Sequence, residues 1–172
     1  LFDPAPARAA FEAAAAAAHK AGRKVAITLS DSFVVHRWRA ELLDFIKSSA
    51  DIVLANEAEL AALFETEDFN AGADQLAAIV DIAAVTCGEK GSVVIAGDQR
   101  VSIQTYPVEK VLDTTGAGDQ YAAGFLLGLA RGLSLEDAGK LGSLAASEVI
   151  AHWGPRPQVK LSDLAAQKGL TL

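Results

Sequence analysis

Short apolar runs rich in β-branched residues alternate along this chain with segments of helical periodicity. The runs KVAITLS (24–30), DIVLA (51–55) and IAAVTCG (82–88) have strand character, and the segments between them place apolar residues at helical spacing. Strands this apolar must be covered on both faces. The alternation therefore predicts an α/β fold, an open and mostly parallel sheet with helices on both faces. A length of 172 residues corresponds to about one domain.

The helical spacing predicts helices over 5–21, 34–48, 56–64 and 70–80. Gly22 is expected to end the first of these in a left-handed conformation, and Asn70 to cap the fourth. GSVVIAG (91–97) and RVSIQTY (100–106) are predicted to pair as antiparallel strands around the turn GDQR. Three further helices are expected at about 116–131, at 135–152 and from 162 onward.

Composition excludes several classes of function. The net charge of −7 argues against a nucleic-acid partner, because phosphate backbones bind basic surfaces. No apolar run reaches the ~20 residues that span a bilayer, so no membrane partner is expected. The single cysteine, Cys87, cannot form an internal disulfide, which fits a reducing cytoplasm. These features favour a cytoplasmic protein.

The segment DTTGAGDQYAAGFLLGLARG (113–132) carries the most specific chemistry. The first turn of a helix offers unpaired N–H groups and a partial positive charge, and such a turn can bind phosphate. Gly116, Ala117 and Gly118 would present these amides without bulky side chains. Asp119, in the same turn, could accept a proton from a hydroxyl that attacks a phosphoryl group. The alternative is that Asp119 only caps a helix and the glycines only form a loop.

Two other phosphate-binding motifs are excluded. A dinucleotide-binding fingerprint needs a third glycine where this chain has Tyr121, and the P-loop pattern is absent from the chain.

SDSFVVHRWRAEL (30–42) is the least explained segment. Ser30 and Asp31 follow a predicted strand on the rim where ligands bind in open α/β sheets. Arg37 and Arg39 come next. A capped helix with a solvated basic face is preferred here over a phosphate or substrate contact.

Three motifs together resemble one known family. DTTGAGDQYAAGF (113–125) resembles the C-terminal signature of the ribokinase-like (PfkB) carbohydrate and nucleoside kinases, which reads D-T-x-G-A-G-D followed by small and apolar residues. NEAEL (56–60) is similar to the family's N-x-x-E element, and TCGEKG (86–91) to its T-x-G-x-x-G turn. The resemblance implies a ribokinase-like fold. It also implies a kinase that uses ATP and Mg²⁺ to phosphorylate a hydroxyl group.

The resemblance also assigns roles to residues. Asp119 would be the general base, next to the amides of Gly116, Ala117 and Gly118. Glu59 would order the waters around Mg²⁺. The nucleotide would be held by Asn56, Thr86, Gly88, Gly91, Gly118 and Ser143. Taken alone, Asn56 and Glu59 form a capping box in all but residue type, and both roles can hold together. Taken alone, 86–91 is an ordinary strand-exit turn.

In some family members, backbone carbonyls near the end of the domain bind a monovalent cation such as K⁺. The corresponding positions are Asp113, Thr115, Val149, His152 and Gly154. The side chain of His152 is not expected to be a ligand, because a helix-end histidine is more often simply solvated or partly buried.

The resemblance covers only the second half of a typical member. The chain, 1–172, is thus expected to be the C-terminal nucleotide-binding part of a single ribokinase-like kinase domain. The N-terminal half and the lid, with its dimer interface, are absent from this sequence. An unpaired inner sheet edge leaves independent folding an open question.

The acceptor has several candidates. SLAASEVI (143–150) and GPRP (154–157) are most similar to bacterial kinases described as adenosine kinase-like, so adenosine is the first expectation. Ribose, fructose-type and other sugars remain alternatives. Two further hypotheses are a hydroxymethylpyrimidine or pyridoxal kinase of the same fold, and a non-catalytic nucleotide-binding module.

Overall fold

A five-stranded sheet organises the protein. The structure is a computed structural model that describes residues 4–170. The strands are β1 (Ala26–Thr28), β2 (Ile52–Asn56), β3 (Ile82–Thr86), β4 (Ser92–Ala96) and β5 (Gln99–Ile103), and they lie in sequence order across the sheet. β1 and β2 are parallel, with Ala26 opposite Ile52 and Thr28 opposite Leu54. Only two residues join β4 to β5, a connection that antiparallel strands alone can make. The predicted α/β fold with a mostly parallel sheet is confirmed.

Eight α-helices are present among residues 4–170. They are α1 (Ala5–Lys20), α2 (Ser32–Arg37), α3 (Arg39–Ser49), α4 (Glu57–Phe64), α5 (Phe69–Ala77), α6 (Ala117–Ala130), α7 (Leu135–Val149) and α8 (Leu161–Gln167). A 3₁₀ turn covers Gly88–Lys90. Gly22 follows α1 with φ of 65°, as the sequence predicts. None of the described helices has the length and apolar character that a membrane-spanning helix requires.

The single helix predicted over 34–48 is wrong. The chain forms two helices that meet at Trp38, whose φ of −125° and ψ of 30° are not helical. The guanidinium of Arg8 lies 4.3 Å from the centre of the Trp38 ring. Arg39, the next residue, donates from Nε to the carbonyl of Leu63 at 2.7 Å. These tertiary contacts override a periodicity that continues through the junction.

The cap of α5 also differs from the prediction. Asp68, and not Asn70, caps this helix, because its carboxylate accepts from the N–H groups of Asn70 and Ala71. The helix therefore begins one residue earlier than predicted. Several elements are shorter than predicted: β1 has only three residues, α5 ends at Ala77, β5 ends at Ile103 and α7 ends at Val149.

The chain divides into two compact units. The first comprises residues up to Val85 together with Ile95–Gln99. The second comprises Thr86–Val94 and the chain from Arg100 onward. The core of the first unit contains the buried strand β2 and large side chains that are 2 % exposed or less, among them Val35, Leu42, Ile46, Leu60, Leu63 and Leu76.

Helices α6 and α7 in the second unit approach closely through glycines. A Cβ atom at Gly128 would lie 2.6 Å from the Cα of Ala138, and one at Gly124 would lie 2.5 Å from the carbonyl oxygen of Leu141. Distances this short allow no side chain at either position. Gly118, near the start of α6, has open space around it.

We expect Gly128→Ala to lower the free energy of unfolding by about 1–3 kcal/mol, because α7 must shift to admit the methyl group. The matched control is Gly118→Ala in the same helix. It should leave the free energy unchanged or raise it by less than about 1 kcal/mol, since alanine favours a helix. Urea denaturation measures both changes. Equal effects of the two substitutions would contradict the close packing of α6 on α7.

Candidate functional site

The start of α6 is an open helix N-terminus in the second unit. Gly116 is the N-cap residue, with φ of 80° and ψ of 1°, a left-handed conformation that favours glycine. Asp119 is the acidic residue of the first turn. It is exposed, and no group among residues 4–170 pairs with its carboxylate. The predicted base is thus available to an external partner.

The backbone amides of this turn differ in availability. The N–H of Ala117 donates to the carbonyl of Thr114 at 3.1 Å. The N–H groups of Gly116 and Gly118 have no acceptor within residues 4–170. Of the three predicted amides, two are therefore open, and no side chain at either position covers them. This arrangement can accept a phosphate oxygen.

Asp113 fixes the loop that leads into α6. Its Oδ1 accepts from the N–H of Thr115 at 2.9 Å, and its Oδ2 accepts from the N–H of Gly154 at 3.0 Å. These hydrogen bonds, with that of the Thr115 side chain, lower the pKa of Asp113. An ionised carboxylate thus joins the loop before α6 to the turn after α7.

Pro155 provides a second contact between the same two segments. A Cβ atom at Gly116 would lie 2.6 Å from the Cβ of Pro155, so only glycine allows this approach. Gln120 donates from Nε2 to the carbonyl of Pro155 at 3.3 Å. The turn after α7 therefore supports the start of α6 directly.

The predicted nucleotide turn follows β3. Gly88 and Gly91 have φ of 56° and 92°. The Cys87 N–H donates to the Gly91 carbonyl at 2.8 Å and closes the turn. Gly91 is buried, and a Cβ atom there would collide with the carbonyl of Ile103. Gly88 is exposed, so its backbone is open to a ligand.

A buried hydrogen bond joins this turn to α6, and sequence reasoning missed it. Ser92 follows the turn, and its hydroxyl lies 2.7 Å from that of Tyr121 on α6. Burial raises the pKa of Tyr121 to about 12, so the phenol stays protonated. The signal was present, since a tyrosine in an apolar helix needs a partner for its hydroxyl.

Ser143, predicted to lie at the adenine, is buried on α7. Its hydroxyl donates to the carbonyl of Gln104 at 2.9 Å. The side chain thus ties α7 to the segment that follows β5. Its contact with a nucleotide stays a prediction.

The first unit carries the other predicted pair, Asn56 and Glu59. Asn56 ends β2 and caps α4, and its Oδ1 accepts from the N–H of Glu59 at 2.8 Å. The carboxylate of Glu59 accepts from the N–H and from Nδ2 of Asn56, both at 2.9 Å. The capping box that the sequence indicated is present.

The buried carboxylate of Glu59 lies in surroundings that would suit a bound cation. The residue is only 4 % exposed, and burial raises the pKa of its carboxyl group, as does the nearby charge of Asp31. Asp31 follows β1 and caps α2 by accepting from the N–H of Phe33 at 2.7 Å. Two carboxylates therefore lie near the carboxyl ends of adjacent parallel strands, where a divalent cation would relieve their repulsion.

The structure brings together most of the positions predicted for a monovalent cation. Asp113 contacts Thr115 and Gly154 directly, and it interacts electrostatically with His152. Val149 is buried at the end of α7. Within residues 4–170, no three His, Cys, Asp or Glu side chains are grouped so that they could hold a metal ion. The cation site stays a prediction.

Known proteins resemble the chain over nearly its whole length. A solved structure of a probable sugar kinase from Rhizobium etli CFN 42 is 48% identical, with a TM-score of 0.97, and the match covers 99% of this chain and 52% of that one. The adenosine kinase from Sinorhizobium meliloti is 52% identical, with a TM-score of 0.95, over 98% of this chain and 52% of that one.

A cytidine kinase from Thermococcus kodakarensis is 38% identical over 67% of this chain and 42% of its own length. The chain thus spans about half the length of the relatives it matches. The sequence pattern of the pfkB family carbohydrate kinases matches residues 1–160, a range that includes all three sequence motifs. The fold, the open α6 start and this match agree, and the chain belongs to the pfkB family of carbohydrate kinases.

Proposed function

We propose that the chain is the nucleotide-binding part of an ATP-dependent kinase that phosphorylates a primary hydroxyl, with adenosine as the first acceptor. The observation that carries the proposal is the exposed, unpaired carboxylate of Asp119 beside the open amides of Gly116 and Gly118. A helix cap alone would require neither open amides nor a free carboxylate.

The proposed reaction begins with the acceptor hydroxyl next to Asp119. The carboxylate takes the hydroxyl proton as the oxygen attacks the terminal phosphorus of ATP. The bond to the bridging oxygen breaks, and ADP leaves with that electron pair. The amides of Gly116 and Gly118 stabilise the negative charge on the transferred group.

Other residues would hold the nucleotide and the metal. Glu59 would bind Mg²⁺ through water, and Asn56 would lie near the phosphates. The metal supplies charge neutralisation for the phosphates. The exposed backbone at Gly88, within the turn that starts at Thr86 and closes at Gly91, would approach the nucleotide. K⁺ bound mainly by backbone carbonyls at Asp113, Thr115, Val149, His152 and Gly154, and a homodimer through a lid outside this chain, remain predictions.

Sequence identity supports a nucleoside acceptor. The relatives include an adenosine kinase at 52% identity and a cytidine kinase at 38%. A sugar acceptor is the second candidate, supported by the probable sugar kinase at 48% identity. ATP consumption by the complete protein with adenosine, ribose, fructose and pyridoxal distinguishes these candidates. Turnover with adenosine alone is expected; ATP binding without turnover on any acceptor would instead favour a non-catalytic module.

We expect Asp119→Asn to reduce kcat by about 10²–10⁴-fold while the affinity for ATP is largely kept, because only the proton acceptor is lost. Asp163→Asn is the matched control, since Asp163 is also an exposed aspartate in the first turn of a helix, α8. The control should retain full activity. Steady-state kinetics of the complete protein measure both, and an Asp119→Asn variant within a few-fold of the parent would refute the assignment.

We expect Glu59→Gln to raise the Mg²⁺ concentration needed for half-maximal activity by about tenfold, because the negative charge that orders the metal-bound waters is lost. Glu57→Gln is the control, since Glu57 is exposed in the same first turn of α4. A Mg²⁺ titration at saturating ATP measures the shift. If both variants gave the same Mg²⁺ titration curve, the assignment of Glu59 to the metal site would be wrong.

A further inference from the structure

Glu148 is a buried carboxylate that the proposed reaction does not use. Its side chain is 8% exposed and lies in the last turn of α7. A negative charge is unfavourable at the C-terminal end of a helix, and burial adds a desolvation cost. Specific contacts must therefore offset the cost of keeping a glutamate at this position.

The contacts of Glu148 reach the turn that follows α7. Its Oε1 accepts from the N–H of Gln158 at 2.9 Å and lies 3.3 Å from Nε2 of His152, whose side chain is 14% exposed. Within residues 4–170, neither its Oε2 nor Nε2 of His152 has a hydrogen-bond partner, so the approach of His152 is a close contact and not a hydrogen bond. One carboxylate thus contacts both ends of 152–158, which we call the support turn, and hydrogen-bonds to its C-terminal end.

The support turn in turn holds the start of α6. Gly154 donates to Asp113, and Pro155 packs on Gly116 and accepts from Gln120. All of these contacts lie within the second unit. A series of contacts therefore runs from Glu148 through the support turn to Gly116 and Gln120, which flank Gly118 and Asp119 in the chain.

We infer that Glu148 is a positioning residue for phosphoryl transfer. Through His152 and the N–H of Gln158 it fixes the support turn, and the support turn fixes the start of α6. The inference rests on the proposed function, but the coupling between Glu148 and α6 can be measured without turnover.

Three variants test the coupling. Glu148→Ala removes both contacts with the support turn, whereas Glu148→Gln keeps an oxygen that can accept from Gln158 and loses the charge. Glu136→Gln is the control, because Glu136 lies on the same helix and pairs with Lys140 in a salt bridge with largely exposed side chains. Circular dichroism establishes that each variant is folded at the assay temperature.

Hydrogen–deuterium exchange of the complete protein reports on the two segments directly. In Glu148→Ala, amides in 113–120 and 152–158 should exchange about tenfold faster or more, because the hydrogen bond from Gln158 to a charged group and the contact with His152 are lost. Glu148→Gln should lie between Glu148→Ala and the parent. Glu136→Gln should match the parent in both segments.

Kinetics separate positioning from a general structural role. In Glu148→Ala, kcat should fall about tenfold or more while the KM for ATP stays within about twofold, because misplacement of the base affects the transferred proton most. Glu148→Gln should recover part of kcat. If Glu148→Ala only reduced the amount of folded protein, kcat would fall in proportion to the folded fraction.

Two results would overturn the inference. One is unchanged exchange in 113–120 of folded Glu148→Ala, and the other is an unchanged kcat when that exchange is faster. If Glu148→Ala does not fold, Glu148→Gln is judged by the same two criteria. A parent protein without kinase activity on any acceptor would contradict the proposed function alone, since exchange still decides the coupling.

Discussion

The carboxylate of Asp113 is the interaction on which the candidate site depends. It binds the N–H of Thr115 on one side and the N–H of Gly154 on the other, and so it holds two segments distant in sequence against each other. Gly116 then packs against Pro155 in a conformation that favours glycine. Because this loop is fixed from outside the helix, the amides at the start of α6 need no side-chain cap. They remain available to a ligand.

Several features of the chain are costly for stability, and the proposed site would account for them. Glu59 is buried near a second carboxylate, Glu148 is buried at the unfavourable end of a helix, and α6 lacks a side-chain cap. The buried charges and the missing cap depart from what local stability would select. Such departures concentrate at functional sites. Here each lies in a motif segment or in direct contact with the turn that supports one.

The sequence predicted the elements of the fold well, because apolar alternation and β-branched runs report directly on burial. It failed at Trp38, where contacts with Arg8 and between Arg39 and Leu63 break a helix whose periodicity is continuous. The candidate site was predicted from local motifs such as 113–119. The packing of Pro155 on Gly116 and the Ser92–Tyr121 bond were not predicted, since they join residues 29 or more positions apart in sequence. A single sequence does not show which residues far apart in the chain will contact each other.

Phosphoryl transfer at this site requires that the start of α6 receives the phosphate while Asp119 receives the proton. A crystal structure of the complete protein with a non-hydrolysable ATP analogue, Mg²⁺ and adenosine would show both contacts. We expect the terminal phosphate within about 3 Å of the amide of Gly116 or Gly118, and the primary hydroxyl within about 3 Å of the Asp119 carboxylate. A terminal phosphate bound away from α6, or a hydroxyl that faces another base, would contradict this expectation.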